Sequence, residues 1–395
     1  MTYPLTFSRR YWPALAALLL AGCVESYMPD VTDVPTNYLV VDGAINGNGV
    51  TRVKLTRSVG LKGDAVPVEK GAKIFIVDNT GVRYPLTEKT AGSYQSDSLQ
   101  LSPARQYQLR FTTSTNVAYA SDMVPLKVTP PIDKLNGQLN GSQVQLLLDT
   151  HDATGQSRYY RWSLAETWEF NSAYISQLEY DPVRKIIMAR NTPVHTCWRT
   201  EQASAIRQST TAQLSQDALT NYNLANLDGH DERFVIRYSV LVSQYVETPD
   251  EFAYYELLRK NTEAVGGVND PLPVQLTGNV HRLDNAAEPV LGYVSAHTVQ
   301  QQRIFLTPQD LRLPAGWSFT TPYDICKEGI EYFRDPTDNR RLVSYPHTIT
   351  YSSPTSSPIA IVMKPNGIDT LGYSGSTREC VDCRVRGSLT RPSFW

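Results

Sequence analysis

The stretch Ala72-Lys-Ile-Phe-Ile-Val-Asp-Asn-Thr-Gly-Val-Arg-Tyr-Pro-Leu86 decides the fold class. Ile74 to Val77 is an unbroken apolar run, short and rich in β-branched and aromatic side chains, which predicts a central strand. Asp78-Asn-Thr-Gly81 supplies turn residues, and Val82 to Leu86 runs back. The same signature recurs on both sides. Upstream, Thr51-Arg-Val-Lys-Leu55 alternates apolar with charged, as a half-buried strand does, and Tyr38-Leu-Val-Val-Asp42 is stopped by Gly43. Downstream, Tyr107-Gln-Leu-Arg-Phe111 alternates again and Ala118 to Val124 follows. Pro125 and the Pro130-Pro131 pair mark an exit. Short strands separated by turn residues predict an immunoglobulin-like β-sandwich over residues 37–130.

The region 131–395 also reads as β-rich. Gln143 to Leu148, Arg158 to Phe170 and the long run Phe234 to Tyr245 are strand patterns, with Tyr160, Trp162 and Leu164 on one face. One main helix is expected at about 248–265. Thr248 is a capping residue, Pro249 suits the first helical position and Glu251 completes a capping box. Phe252, Tyr255, Leu258 and Thr262 share a face, and Gly266-Gly267 ends the helix. Gly278 to His281 and Val290 to Ala296 return to strand. The whole chain is therefore expected to be mainly β.

Ahead of the first strand lie two further segments. Residues 24–36, with two prolines and three acids, read as an extended tether over 23–36. Residues 1–22 have the parts of an export signal: Arg9 and Arg10, then the apolar run Ala14 to Leu20, too short to span a bilayer. The signal ends Leu20-Ala21-Gly22-Cys23, which resembles the bacterial lipobox, so Cys23 is expected to become the lipidated first residue of the mature chain. At roughly 0.8 kcal/mol per buried methylene, two or three acyl chains would hold it in a lipid bilayer almost irreversibly.

Charge and cysteines narrow the setting. Lys plus Arg number 37 against 39 Asp plus Glu, a balance that argues against nucleic acid as a partner. Besides Cys23 there are Cys197, Cys326, Cys380 and Cys383, an even set that reads in an exported protein as two disulfides. A Cys380–Cys383 bridge would close a very tight loop, which favours each bonding to Cys197 or Cys326, and the pairing stays open. The rival is a zinc site of His195, Cys197, Cys380 and Cys383, disfavoured by an oxidising compartment.

Several stretches together resemble a known family: Cys23-Val-Glu-Ser-Tyr-Met-Pro-Asp30, Tyr38 to Gly43, Thr248 to Tyr255, Gly278-Asn-Val280, Val290-Leu-Gly-Tyr293, and the tail Cys380-Val-Asp-Cys383…Arg391-Pro-Ser-Phe-Trp395. They look like DUF4249, an uncharacterised lipoprotein family of Bacteroidota. The resemblance implies an accessory outer-membrane lipoprotein beside a TonB-dependent transporter, with a role in capturing or admitting a nutrient. Glu25, just after the lipidated cysteine, resembles part of the surface-export signal of that phylum, so cell-surface exposure is also implied.

No catalytic motif occurs: there is no His-Glu-x-x-His, Gly-x-Ser-x-Gly or phosphate loop, and Gly372-Tyr-Ser-Gly375 lacks the nucleophile-elbow spacing. Neither an enzyme nor a cofactor is expected, and no metal. Asp228-Gly-His-Asp-Glu232 and Asp335-Pro-Thr-Asp338-Asn339 read as solvated turns, lacking the alternating ligand spacing of a calcium loop. The aromatic residues Trp168, Tyr174, Tyr180 and Trp198, with Trp395 at the C-terminus, are the candidates for gripping a ligand or partner, because they offer large contact area at low entropic cost. The expected function is a binding subunit of a TonB-dependent nutrient transporter. The competing readings are a surface adhesin or spacer, and a glycan or peptide hydrolase using Asp228, Asp231 or Glu232.

Overall fold

A computed structural model describes residues 37–59, 65–263, 276, 278–332, 353–365, 367–368 and 370–395. The export signal, Cys23, the tether, Gly266-Gly267 and Asp335 to Asn339 lie outside the described residues. The chain is mainly β, as its patterning requires.

The first unit begins with β1 (Leu39–Asn46), β2 (Val50–Arg57), β3 (Lys73–Asp78), β4 (Arg83–Thr90), β5 (Ser93–Ser98), β6 (Gln106–Thr112), β7 (Ala118–Ser121) and β8 (Val124–Lys127). The Ala72–Leu86 stretch becomes the antiparallel pair β3 and β4, with Ile74 opposite Leu86. Asp78 Oδ1 fastens the turn between them by accepting the amides of Thr80 at 2.9 Å and Val82 at 3.0 Å. β3 lies between β4 and β6, and Ile74 and Ile76 are buried. The apolar face of every strand points into one core, which includes Leu39, Leu55, Ile76, Leu109 and Phe111.

The chain then builds β9 (Ile132–Asn140), β10 (Gln143–His151), β11 (Tyr159–Asn171), β12 (Leu178–Asp181), β13 (Ile186–Ala189), β14 (Thr196–Gln202), β15 (Arg207–Thr210), β16 (Ala218–Asp228), β17 (Arg237–Val246) and the helix α1 (Pro249–Glu263). Three short strands follow: β18 (Val280–Arg282), β19 (Val290–Leu291) and β20 (Ala296–His297). These three return to the first unit. β18 pairs with β7, and β19 and β20 run parallel to β1. β20 also pairs with β8, which pairs with β6, so the path β6-β3-β4-β5-β2-β1-β20-β8 closes on itself in an 11-stranded sheet. The expected division at residue 130 leaves this return out. Val280, Val290, Val294 and Ala296 complete the core begun by residues 39–126.

The return depends on glycine. A Cβ on Gly292, whose φ is +117°, would sit 1.9 Å from the carbonyl oxygen of Val41, and one on Gly278 would sit 1.6 Å from that of Gly292. Neither backbone can admit a side chain. Gly292→Ala is expected to destabilise the fold by about 2 kcal/mol or more, read as a lowered denaturation midpoint. An unchanged midpoint would mean that the β1–β19 pairing is not formed.

The second unit is a sandwich. The three-stranded sheet β16-β10-β9 packs on a five-stranded sheet of order β14-β11-β17-β21, where β21 is Gln300–Leu306 and β15 also pairs with β11. Leu135, Val144, Leu146 and Leu148 on one side meet Trp162, Leu164, Val240 and Val242 on the other. A smaller sheet, β22 (Gly329–Tyr332), β23 (Ser356–Met363) and β24 (Thr370–Thr377), has the order β22-β24-β23. The hairpin β12–β13 rests on it through Ser176, whose hydroxyl donates to the carbonyl of Pro358 at 2.8 Å.

α1 starts as its sequence dictates: the Thr248 hydroxyl accepts the Glu251 amide at 3.2 Å. The Glu251 carboxylate turns inward instead of completing a capping box. It joins Glu247 in pairing with one guanidinium, Arg161, at 3.3 Å from Glu251 and in close contact with Glu247. Arg161 also lies over the rings of Tyr255 at 4.2 Å and Tyr245 at 4.9 Å. Gln208 donates to the far oxygen of Glu247 at 2.6 Å. Among the described residues no helix is long and apolar enough to cross a membrane.

Two disulfides tie the C-terminal part of the chain to this frame: Cys197–Cys383 and Cys326–Cys380. Each of Cys380 and Cys383 thus bonds to one of the distant cysteines. With all four thiols oxidised, a zinc site with His195 has no thiolate ligands. His195 instead approaches the Ser172 hydroxyl at 3.1 Å through Nδ1, and burial lowers its basicity.

Candidate functional site

The outermost strand of the five-stranded sheet, β14, carries the most chemically distinctive surface of the described residues. Its register against β11 places Arg199 opposite Trp168, Trp198 opposite Glu169, and Cys197 opposite Phe170. Strand alternation therefore puts Arg199 and Trp168 on one face and Trp198 with Glu169 on the other.

Trp168 is 3% exposed and is held between two guanidinium groups, Arg199 at 5.6 Å and Arg233 at 5.3 Å from its ring. Each arginine is itself anchored. Arg199 pairs with Glu201 at 2.5 Å, and Arg233 pairs with Glu166 at 2.5 Å and Asp231 at 3.1 Å. Burial works against the charge on Arg233, but the Asp231 and Glu166 carboxylates more than offset it, so the guanidinium holds its proton more firmly than a free arginine. Arg386 repeats the pattern. It is bonded to both oxygens of Glu232 and lies 5.2 Å from the Phe170 ring and 5.1 Å from the Tyr323 ring.

The C-terminal segment closes the edge. Trp198 and Ser388 exchange both backbone hydrogen bonds at 2.9 Å, directly beside the Cys197–Cys383 bridge. Gly387 makes the approach possible, because a Cβ there would lie 2.7 Å from the Trp198 carbonyl and 2.8 Å from the Phe170 ring. Two clefts result. One, of about 440 Å³, is walled by Trp168, Arg233 and the 320–322 turn; the other, of about 540 Å³, by Trp198, Arg386 and residues 387–392. Both are lined by Arg199 and Glu201, so together they form one groove around β14.

The family model for a domain of unknown function, DUF4249, matches residues 24–303. The chain belongs to this family. In this DUF4249 member the matched region holds β11, β14 and β17, whereas the segment 383–395 that completes the groove lies beyond it. No curated protein matches the sequence. Among solved structures, the adhesin InvE of Yersinia pseudotuberculosis is similar over 52% of this chain and 54% of that one, at 13% identity and a TM-score of 0.14. The match thus spans about half the length of either chain and is too slight to argue from.

The aromatic residues singled out by sequence separate into two groups. Trp168 and Trp198 line the groove, and Trp395 lies on the same sheet, with its indole N–H donating to Glu169 at 3.1 Å and its ring edge-on to Phe305. Tyr174 and Tyr180 are elsewhere. The Tyr174 hydroxyl donates to the Cys326 carbonyl at 3.2 Å beside the second disulfide, and Tyr180 sits in the β12–β13 hairpin opposite Ile187. The arginines that frame Trp168 carried no signal of their own, because the β11–β14 register, which no local pattern fixes, is what brings Arg199 to it.

The acidic stretch 228–232 is a structural corner. Asp231 caps the short turn Glu232–Phe234 by accepting the Arg233 amide at 2.9 Å, Glu232 is committed to Arg386, and Asp228 accepts the His230 amide at 2.9 Å. His230 stacks on Trp317 at 4.3 Å. Among the described residues no group of three or more His, Cys, Asp or Glu side chains is placed to hold a metal ion. Chemically, the groove offers an outer strand, paired opposite charges and aromatic rings under cations. Those are the elements with which a protein surface takes up an extended segment of a partner.

Proposed function

We propose that the chain is a lipid-anchored binding subunit of the outer membrane that works beside a TonB-dependent nutrient transporter and helps it capture its ligand. The observation that carries this reading is the order of the leader: Arg9-Arg10, the Ala14–Leu20 run, then Leu20-Ala21-Gly22-Cys23. An acylated Cys23 confines the chain to a membrane surface, where its partners are other membrane proteins. The resemblance of the mature start and tail to lipoproteins of the DUF4249 family implies the same setting. The groove around β14 supplies a contact of the right kind: aromatic rings beside Arg199, Glu201 and Arg233, which select a partner segment by charge.

The test is a groove variant, Arg199→Glu with Glu201→Arg, expressed from the native locus with a tag. Both side chains are partly exposed and pair with each other, so the reversed pair keeps the local balance and the fold. It is expected to leave membrane anchoring intact and to reduce recovery of the transporter at least about tenfold, the cost of like charges meeting across an interface. Undiminished recovery would remove the groove as the contact.

A further inference from the structure

A further cleft, of about 220 Å³, lies on the outer face of the first unit, where β3 runs between β4 and β6. Ile74 and Ile76 point into the core, so Lys73, Phe75 and Val77 alternate onto the outer face. Strand pairing brings Arg110 of β6 opposite Phe75 and Arg83 of β4 opposite Val77. Lys73, Arg83 and Arg110 are exposed, and all three line the cleft. Its apolar lining includes the half-buried ring of Phe75, Val77 and the exposed side chain of Leu283.

Among the described residues no ion pair or side-chain hydrogen bond engages these three cations. The acids of the neighbouring segments are taken. Asp78 pairs with Arg105 at 2.5 Å, Asp122 with His281 at 3.2 Å, and Asp284 and Glu288 both pair with Arg282. No acidic side chain lines the cleft. The chain as a whole has 37 basic against 39 acidic residues, so three uncompensated cations around one ring are a local feature that composition does not explain.

Their arrangement selects the occupant. Lys73, Arg110 and Arg83 stand at three successive levels along β3, those of residues 73, 75 and 77. Alternate residues of a strand are about 6.8 Å apart. An extended peptide presents its own alternate side chains to one side at the same interval. A single carboxylate or phosphate meets one level and leaves the others unmet. A bilayer surface is flat on this scale and does not reach a half-buried ring in a recess. We propose that this cleft docks an extended acidic segment of a partner protein, of the pattern Glu-x-Glu-x-Glu, with one carboxylate at each cation and the methylenes of the middle glutamate on Phe75. The cleft is separate from the groove around β14 and needs no lipid anchor, so its failure would leave the proposed function standing.

The experiment titrates the mature chain, up to about 0.5 mM, into a rhodamine-labelled peptide Thr-Glu-Thr-Glu-Thr-Glu-Thr and follows its anisotropy. Saturable binding is expected, weakened at least about tenfold when NaCl rises from about 50 to about 500 mM, because exposed charges are screened. The counterpart with glutamine for glutamate should not bind. Lys73→Gln with Arg83→Gln adds no charge and removes no contact within the chain, so it should fold and bind the acidic peptide at least about tenfold more weakly. Reversal of all three cations to glutamate should transfer binding to the counterpart with lysine for glutamate. Trigalacturonate, with its carboxylates on sugar rings, and vesicles containing about 30% phosphatidylglycerol serve as competitors. The proposal is overturned if the acidic peptide does not bind, if its glutamine counterpart binds equally, or if the glutamine variant of the chain keeps full affinity. It is equally overturned if trigalacturonate or the vesicles displace the peptide at a lower concentration than unlabelled peptide does.

Discussion

Replacing Cys197 and Cys383 together by alanine is expected to lower the unfolding free energy by about 3–5 kcal/mol. The bridge spans 186 residues, and in the chain-entropy account a loop of that length restrains the unfolded chain by about 5 kcal/mol. Both residues are fully buried, so each alanine also leaves a small void in the core beside Phe170. The Cys326–Cys380 bridge spans 54 residues, and removing it should cost less. The effects differ in function as well as in size. Cys383 leads into the segment whose Ser388 pairs with Trp198, so losing its bond frees the wall of the groove. Urea titration of the two double variants reads the comparison, and non-reducing peptide mapping checks the pairing. A loss below about 1 kcal/mol for the Cys197 and Cys383 variant would contradict it.

Arg161→Met should be as damaging, by about 3–5 kcal/mol above neutral pH, because it strands two buried carboxylates. Their side chains are 0% and 1% exposed, and Arg161 is the guanidinium that both contact. Burial pushes Glu251 up to about 7, with Arg161 opposing the rise and Glu247 adding to it. That value is above the ordinary 4.5, so the folded chain holds this proton longer than the unfolded chain. The stability it contributes is full below about 4.5 and fades as pH rises through about 7. His297 has the opposite sense: its value of about 3 lies below the ordinary 6.5, and its contribution is lost as pH falls from 6.5 toward 3. Between about 4.5 and 6.5 the two slopes oppose each other. Glu251→Gln should therefore expose the His297 slope, up to about 1.4 kcal/mol per pH unit, and should be no less stable than the wild type above pH 7 because Arg161 and Glu247 remain a pair. Denaturation midpoints across that range measure it, and a variant with the pH profile of the wild type would refute the assignment.

Strands with an apolar face were legible in the sequence. Ile74 to Val77, Val53 with Leu55, and Leu109 with Phe111 announce their burial by pattern alone. β5 was not, since Ser93 to Ser98 is polar. It is held by Tyr94, whose hydroxyl donates to Glu69 at 2.8 Å and accepts from Ala72 at 3.0 Å. The polar strands β9 and β16 pair on either side of β10 in a sheet with one wet face, where few side chains need be apolar. The return of β18, β19 and β20 to the first unit was hidden for another reason. Segments of two or three residues have no period, and their pairing, β18 with β7 and β19 and β20 with β1, is a long-range fact that only Gly278 and Gly292 hint at. In the groove, Trp168 and Trp198 could be singled out as large aromatic residues offering contact area. Arg233 and Arg386 could not, because their roles arise from chain crossings far apart in sequence.

The central claim is that the protein acts as a partner of a membrane transporter. It is met most directly by purifying tagged full-length protein from native outer membranes in a gentle detergent and identifying by mass spectrometry what accompanies it. The account predicts an acylated chain beginning at Cys23 together with a TonB-dependent transporter in stoichiometric amount. A chain recovered alone from the membrane, or one found in the soluble fraction with Cys23 unmodified, would contradict it.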